Sequence, residues 1–117
     1  MLGSILSTID GRPALKRQLL VVLTADHGGD GGSHAMATEL PNMRVPFMVW
    51  GPGVAAGRDL YSRNATFRSP GDGRPRYTGQ QPIRNADVAN LVTDVLDLRW
   101  VPGSELDFPR TLTVFGP

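Results

Sequence analysis

Leu19-Leu20-Val21-Val22-Leu23-Thr24-Ala25-Asp26-His27-Gly28-Gly29 is the stretch that decides the fold. Its first six residues are nearly all apolar, and the run gives way to glycine. Such a run reads as a strand buried on both faces, since a half-exposed strand alternates polar and apolar residues. A carboxylate and an imidazole stand side by side at the strand's end. Four glycines, Gly28, Gly29, Gly31 and Gly32, then surround Asp30, and Ser33 and His34 follow. Open α/β sheets hold ligands at the carboxyl ends of their strands, so the stretch marks a site.

Asp26 brings a hard oxygen and His27 an imidazole nitrogen, a pair suited to zinc or a similar divalent ion. Neighbours on a regular strand point to opposite faces. Both reach one ion only if the chain turns, and Gly28 and Gly29 permit the turn. The plainer alternative makes Asp26 a turn residue and His27 a hydrogen-bonded histidine. Asp30 reads as a turn residue in either case.

Three segments in order resemble the alkaline phosphatase superfamily, which includes sulfatases and type I phosphodiesterases/nucleotide pyrophosphatases. Thr24-Ala25-Asp26-His27-Gly28-Gly29 is similar to its metal-binding segment. Glu39, with the run from Arg44-Val45-Pro46 through Gly51-Pro52-Gly53-Val54, resembles the arginine, proline, strand and Gly-Pro-Gly sequence that follows. Gln81-Pro82-Ile83-Arg84-Asn85-Ala86-Asp87-Val88-Ala89-Asn90-Leu91-Val92 looks like its late helix.

The resemblance implies an α/β fold, a partial alkaline-phosphatase-like sheet with flanking helices, and a divalent-metal hydrolase acting on a phosphate or sulfate ester. It implies Asp26 and His27 as metal ligands, with zinc ahead of manganese, magnesium or calcium. It implies Gly28 and Arg44 as structural residues at the site. His34 takes the place of a basic substrate contact in sulfatase-like members; metal ligand and solvated loop histidine are its other readings. In the family the nucleophile and an early aspartate ligand precede this motif, so no catalytic nucleophile is expected among these residues. The chain therefore resembles the C-terminal part of such an enzyme, residues 1–117 forming one incomplete domain, with the remaining N-terminal half as its natural partner. A truncated, non-catalytic remnant or a weak metal- or anion-binding module is the competing reading. Exported relatives point to a periplasmic or secreted parent, and the sequence leaves the compartment open.

Composition narrows the classes. With 12 Lys and Arg against 11 Asp and Glu, the chain has no clustered basic face to argue for nucleic acid. No cysteine is present, which removes disulfides and thiolate metal sites. No apolar run approaches the roughly 18 residues of a membrane span, so no membrane partner is expected. The N-terminus lacks the basic start of a signal peptide. Fourteen glycines and ten prolines imply long loops.

Spacing supplies the rest. Leu2, Ile5, Leu6 and Ile9 form one helical face, ended by Asp10-Gly11-Arg12-Pro13. Residues 45–50 read as a second strand with apolar character on both faces, and Trp50 as core or pocket wall. Arg44 is expected to pair with Glu39 or a sheet-end carboxylate. Residues 55–80 read as a long, solvated loop insert carrying Arg58, Arg63, Arg68, Arg74 and Arg76, with a short strand near residues 59–61. Residues 85–98 read as a helix burying Val88, Leu91, Val92, Val95 and Leu96, with Asn85 as its cap. Residues 111–115 read as a last strand at a sheet edge.

Overall fold

The computed structural model describes residues 1–71, 73, 78–106 and 111–116. Its elements run α1 (Leu2–Asp10), α2 (Pro13–Gln18), β1 (Val21–Thr24), α3 (Leu40–Met43), β2 (Phe47–Trp50), α4 (Leu60–Arg63) and α5 (Asp87–Val95). β1 and β2 pair antiparallel, with Val21 opposite Trp50 and Thr24 opposite Phe47. The carboxyl end of β1 thus lies beside the amino end of β2. The loop between them leaves and re-enters the sheet at one edge, and that edge carries Asp26, His27 and Arg44.

This is a mixed α and β architecture around a small sheet. Each strand is shorter than its apolar run. Pro46 has no N–H to give a ladder, and β2 starts after it. Burial also differs from expectation. All four residues of β1 are only partly buried, and Met48 on β2 is 57% exposed. Trp50 is half-buried and lies outside the site cavity described below.

The core lies to one side of the sheet, where Phe67, Leu91, Leu112 and Val114 cluster and Val22, Phe47, Val49, Leu60, Tyr61, Ile83 and Val95 pack against them. Residues 112–114 reach this core by the alternation of buried Leu112, exposed Thr113 and buried Val114. They form no regular strand. The C-terminal segment is held by one bridge between Val54 and Phe115 and by bonds from Ala55 N–H to the Val114 carbonyl (3.0 Å) and Gly116 N–H to the Gly53 carbonyl (3.1 Å).

The insert is less solvated than its composition suggests. The expected strand at residues 59–61 is instead the start of α4. The Asp59 carboxylate accepts from the Tyr61 and Ser62 N–H groups, satisfying two donors that a helix start leaves open. Asn64, 4% exposed, donates to the Leu60 and Thr113 carbonyls and accepts from Thr113 N–H, tying the insert to the C-terminal segment. Phe67 then enters the core. Asp72, Arg74, Pro75 and Arg76 lie outside the described residues.

α5 is shorter than residues 85–98 and turned differently. Its buried face is Asp87, Asn90 and Leu91, with Val88 and Val95 half-buried, while Val92 and Leu96 are exposed. Asp97 ends it at φ 52°, with Asp97 N–H bonded to the Asp94 carbonyl and Leu98 N–H to the Thr93 carbonyl. This is the Schellman pattern, with aspartate where glycine is usual. Asn90 faces inward because its amide donates to the Leu106 carbonyl. In α1, Ile9 is buried and Ile5 exposed, and Pro13 opens α2 as its first residue.

Candidate functional site

Beyond Thr24 the chain leaves the sheet and crosses α3 at close range. Gly28 N–H donates to the Asn42 carbonyl (2.9 Å) and Gly29 N–H to the Pro41 carbonyl (3.1 Å), so the loop satisfies carbonyls at the end of α3. A Cβ on Gly28 would stand 1.9 Å from the Pro41 oxygen and 2.6 Å from the Arg44 oxygen. Only glycine fits there, and the reason is proximity rather than backbone angle.

The close approach turns His27 back toward Asp26. Asp26 Oδ2 lies 3.3 Å from His27 Nε2, so the two side chains share one side. His27 Nδ1 lies 2.6 Å from the Gly28 carbonyl oxygen. A carbonyl only accepts, which places a proton on Nδ1. In the neutral ring Nε2 is then a bare acceptor facing a carboxylate oxygen. A contact between two acceptors at that distance is closed by a proton or by a cation. Zinc bonds of about 2.0–2.2 Å at a tetrahedral angle separate two ligand atoms by about 3.3–3.5 Å, so the pair fits two corners of a divalent-metal shell. An N–H held by a backbone carbonyl is also the usual outer partner of a metal-binding histidine.

His34 returns to this point by a tight hairpin. Asp30 and Ser33 exchange N–H to carbonyl bonds of 2.9 Å, and Gly31 and Gly32 have φ of 54° and 84°. Two consecutive positive φ angles make the two-residue turn that glycine permits. His34 then stacks on His27, ring centres 4.0 Å apart and planes 18° from parallel. Stacked rings have nearly parallel in-plane lone pairs, which do not converge on one ion. His34 in this position is not a third ligand. Among the described residues, no group of three or more His, Cys, Asp or Glu side chains is placed to hold a metal ion.

Beside the pair opens a cavity of about 340 Å³ that Asp26 and His27 line together with Asn42, Arg44, Tyr61, Arg84 and Asn85. Arg44 donates to the Gly71 carbonyl (2.9 Å). Arg84 donates to Gln81 Oε1 (2.9 Å). None of the described insert arginines lines the cavity, and Arg63 instead donates to the Phe115 carbonyl (2.6 Å). Tyr61 accepts a bond from Ile83 N–H (3.2 Å), and burial raises its phenol above the usual value.

Two features of the site are not legible as such in the sequence. Asn85, expected to cap α5, has its amide on the Ala25 and Asp26 carbonyls (3.2 and 2.7 Å) and so clamps the end of the Asp26–His27 strand to the segment that enters α5. Asp87, fully buried, accepts from Arg84 N–H (2.8 Å) and fixes the backbone from which Arg84 projects. Thr24 Oγ1 is buried, with no hydrogen-bond partner among the described residues.

Comparison with known proteins adds one relationship. Over 89 residues, 75% of the chain, it is 38% identical to GPI ethanolamine phosphate transferase 1 of Aspergillus oryzae. The chain is similar to a phosphate transferase. That relative belongs to the alkaline phosphatase superfamily, the group whose motifs this sequence resembles. The chain spans 8% of the relative's length. No protein-family profile and no solved structure matches it.

Proposed function

We propose that this chain forms the ligand-bearing part of a phosphoester-acting enzyme. Asp26 and His27 would supply two ligands of a divalent metal, zinc for preference, and Arg44 and Arg84 would receive the ester's anionic oxygens. The observation that carries this reading is the Asp26–His27 contact, Oδ2 and Nε2 3.3 Å apart beside a cavity that Arg44 and Arg84 also line. Similarity to a phosphate transferase favours a phosphate over a sulfate ester.

Zinc bound there would polarise the ester and stabilise the negative charge that builds on its oxygens. The residues of the chain have separate tasks. Gly28 brings the motif against α3, its carbonyl holds His27 Nδ1–H, and Asn85 fixes the backbone at Asp26. The guanidiniums orient the anion by charge and by paired N–H donors. His34 stacks on His27 and is not among the residues that line the cavity, so a substrate contact from it would come from the rim beside His27.

No Ser or Thr hydroxyl lines the cavity among the described residues. Transfer or hydrolysis through a covalent intermediate therefore draws its nucleophile from outside this set, as the family resemblance implies. The same observation favours the second reading, a module that binds metal and anion without turnover. It also leaves room for the remaining part of a longer enzyme to complete the site.

The test is a zinc titration followed by the imidazole resonances of His27 and His34. Zinc is expected to shift His27 first, and Asp26→Ala and His27→Ala should each weaken binding at least about tenfold, the usual scale for loss of a ligand or its support. Binding unaffected by both substitutions would refute the metal assignment.

A further inference from the structure

Asn64-Ala65-Thr66 is the one Asn-x-Ser/Thr triplet in the sequence, the acceptor signal for an N-linked glycan. A glycan is bulky and hydrophilic and belongs on a surface. Ala65 and Thr66 are exposed, but Asn64, the residue that would carry it, is only 4% exposed. Its side chain is also fully engaged. Nδ2 donates to the Leu60 carbonyl at 2.8 Å and the Thr113 carbonyl at 3.1 Å, while Oδ1 accepts from Thr113 N–H at 2.7 Å. Both amide protons are spent, and only one orientation of the amide satisfies all three bonds.

Glycosyl transfer joins Nδ2 to the anomeric carbon of a sugar carried on a lipid pyrophosphate. The bond from that carbon to the pyrophosphate oxygen breaks, the pyrophosphate leaves with the electron pair, and one Nδ2 proton passes to solvent. The substituted amide keeps one N–H for two carbonyls, and the sugar takes the place of the other carbonyl. The clasp between the insert and the C-terminal segment cannot close around it. Thr113 lies 49 residues beyond Asn64, so a chain growing at about 5–20 residues per second presents the triplet for about 2–10 s before its partner is made. We infer that Asn64 is a glycan acceptor in the unfolded chain alone, and that glycosylation and folding exclude one another. Whichever comes first prevents the other.

The experiment supplies an oligosaccharyltransferase and a lipid-pyrophosphate oligosaccharide to the intact chain in two forms, folded and freshly diluted from urea, and reads the mass. The diluted chain is expected to gain one glycan at Asn64. The folded chain should gain it at least about a hundredfold more slowly, because native proteins are unfolded only about 10⁻³–10⁻⁶ of the time. The glycosylated product, collected on a lectin, should show no cooperative thermal transition. Thr66→Ala, at an exposed position, should abolish the gain in both forms and leave the transition unchanged, which separates loss of the acceptor signal from loss of the clasp. Equal rates for the folded and diluted chain, or a glycosylated product that melts with the unmodified protein, would overturn the inference. Absence of the glycan from both forms would overturn it too, since the triplet would then be no acceptor.

Discussion

Replacing Gly28 by alanine tests whether the Asp26–His27 turn is held by close backbone contact. The new methyl would meet the Pro41 and Arg44 carbonyl oxygens at 1.9 and 2.6 Å, and both are backbone atoms that no rotamer change can move aside. The loop must lift from α3. It then loses the bonds from Gly28 N–H to Asn42 and from Gly29 N–H to Pro41. At about 0.5–1.5 kcal/mol each, the two bonds amount to about 1–3 kcal/mol. A change of 1 kcal/mol moves Tm by about 4–8 °C in a domain slightly smaller than this one, so the expected fall is several degrees or more. Gly29→Ala is the matched control. Its methyl would sit 3.7 Å from the Ser33 oxygen, an ordinary contact, so its effect should stay within about 0.5 kcal/mol. The assay is paired thermal and urea unfolding, with ring-to-ring cross-peaks between His27 and His34 as a local reporter. A Gly28→Ala protein that melts with the wild type and keeps the histidine stack would refute the argument.

Leu91→Ala should cost about 2–5 kcal/mol in urea unfolding, because Leu91 is wholly buried, whereas Val92→Ala on the exposed side should change little. Asn85→Ala removes both carbonyl clamps on residues 25 and 26 and should weaken zinc binding beyond any loss of stability, as seen by titration at a temperature where both proteins are folded. Asp97→Gly relieves a left-handed residue at φ 52° and should raise stability by about 0.5–1 kcal/mol, checked by the urea midpoint. Tyr61 should titrate above the usual phenol range in an ultraviolet pH titration of Tyr77→Phe. Burial favours its protonated form in the folded state, so its contribution to stability is present below about pH 10 and is lost as pH rises through the folded value.

The order of the motifs and the grouping of Asp26, His27 and the glycines after a strand were legible in the sequence because both depend on neighbours along the chain. An apolar run ending in Asp26-His27 and glycine announces a strand and a turn wherever it occurs. Helical spacing located α1 and α5 for the same reason. Helix ends followed less closely, since Asp97 in a left-handed conformation is a choice that aspartate permits but does not dictate. Burial was the least legible quantity. Val92 and Leu96 are as apolar as Leu91, and only the position of the Phe67, Leu112 and Val114 cluster decides which of them is covered.

At the site the division is similar. The sequence by itself determined that a carboxylate, an imidazole and a flexible glycine turn stand together. Tertiary structure decided that His34 stacks on His27, and that Gly28 rests on α3. It also brought Arg84 and Asn85, about sixty residues away, to Asp26. Contacts between distant residues depend on how elements pack, and packing is set by the sum of many weak apolar contacts that no local pattern records.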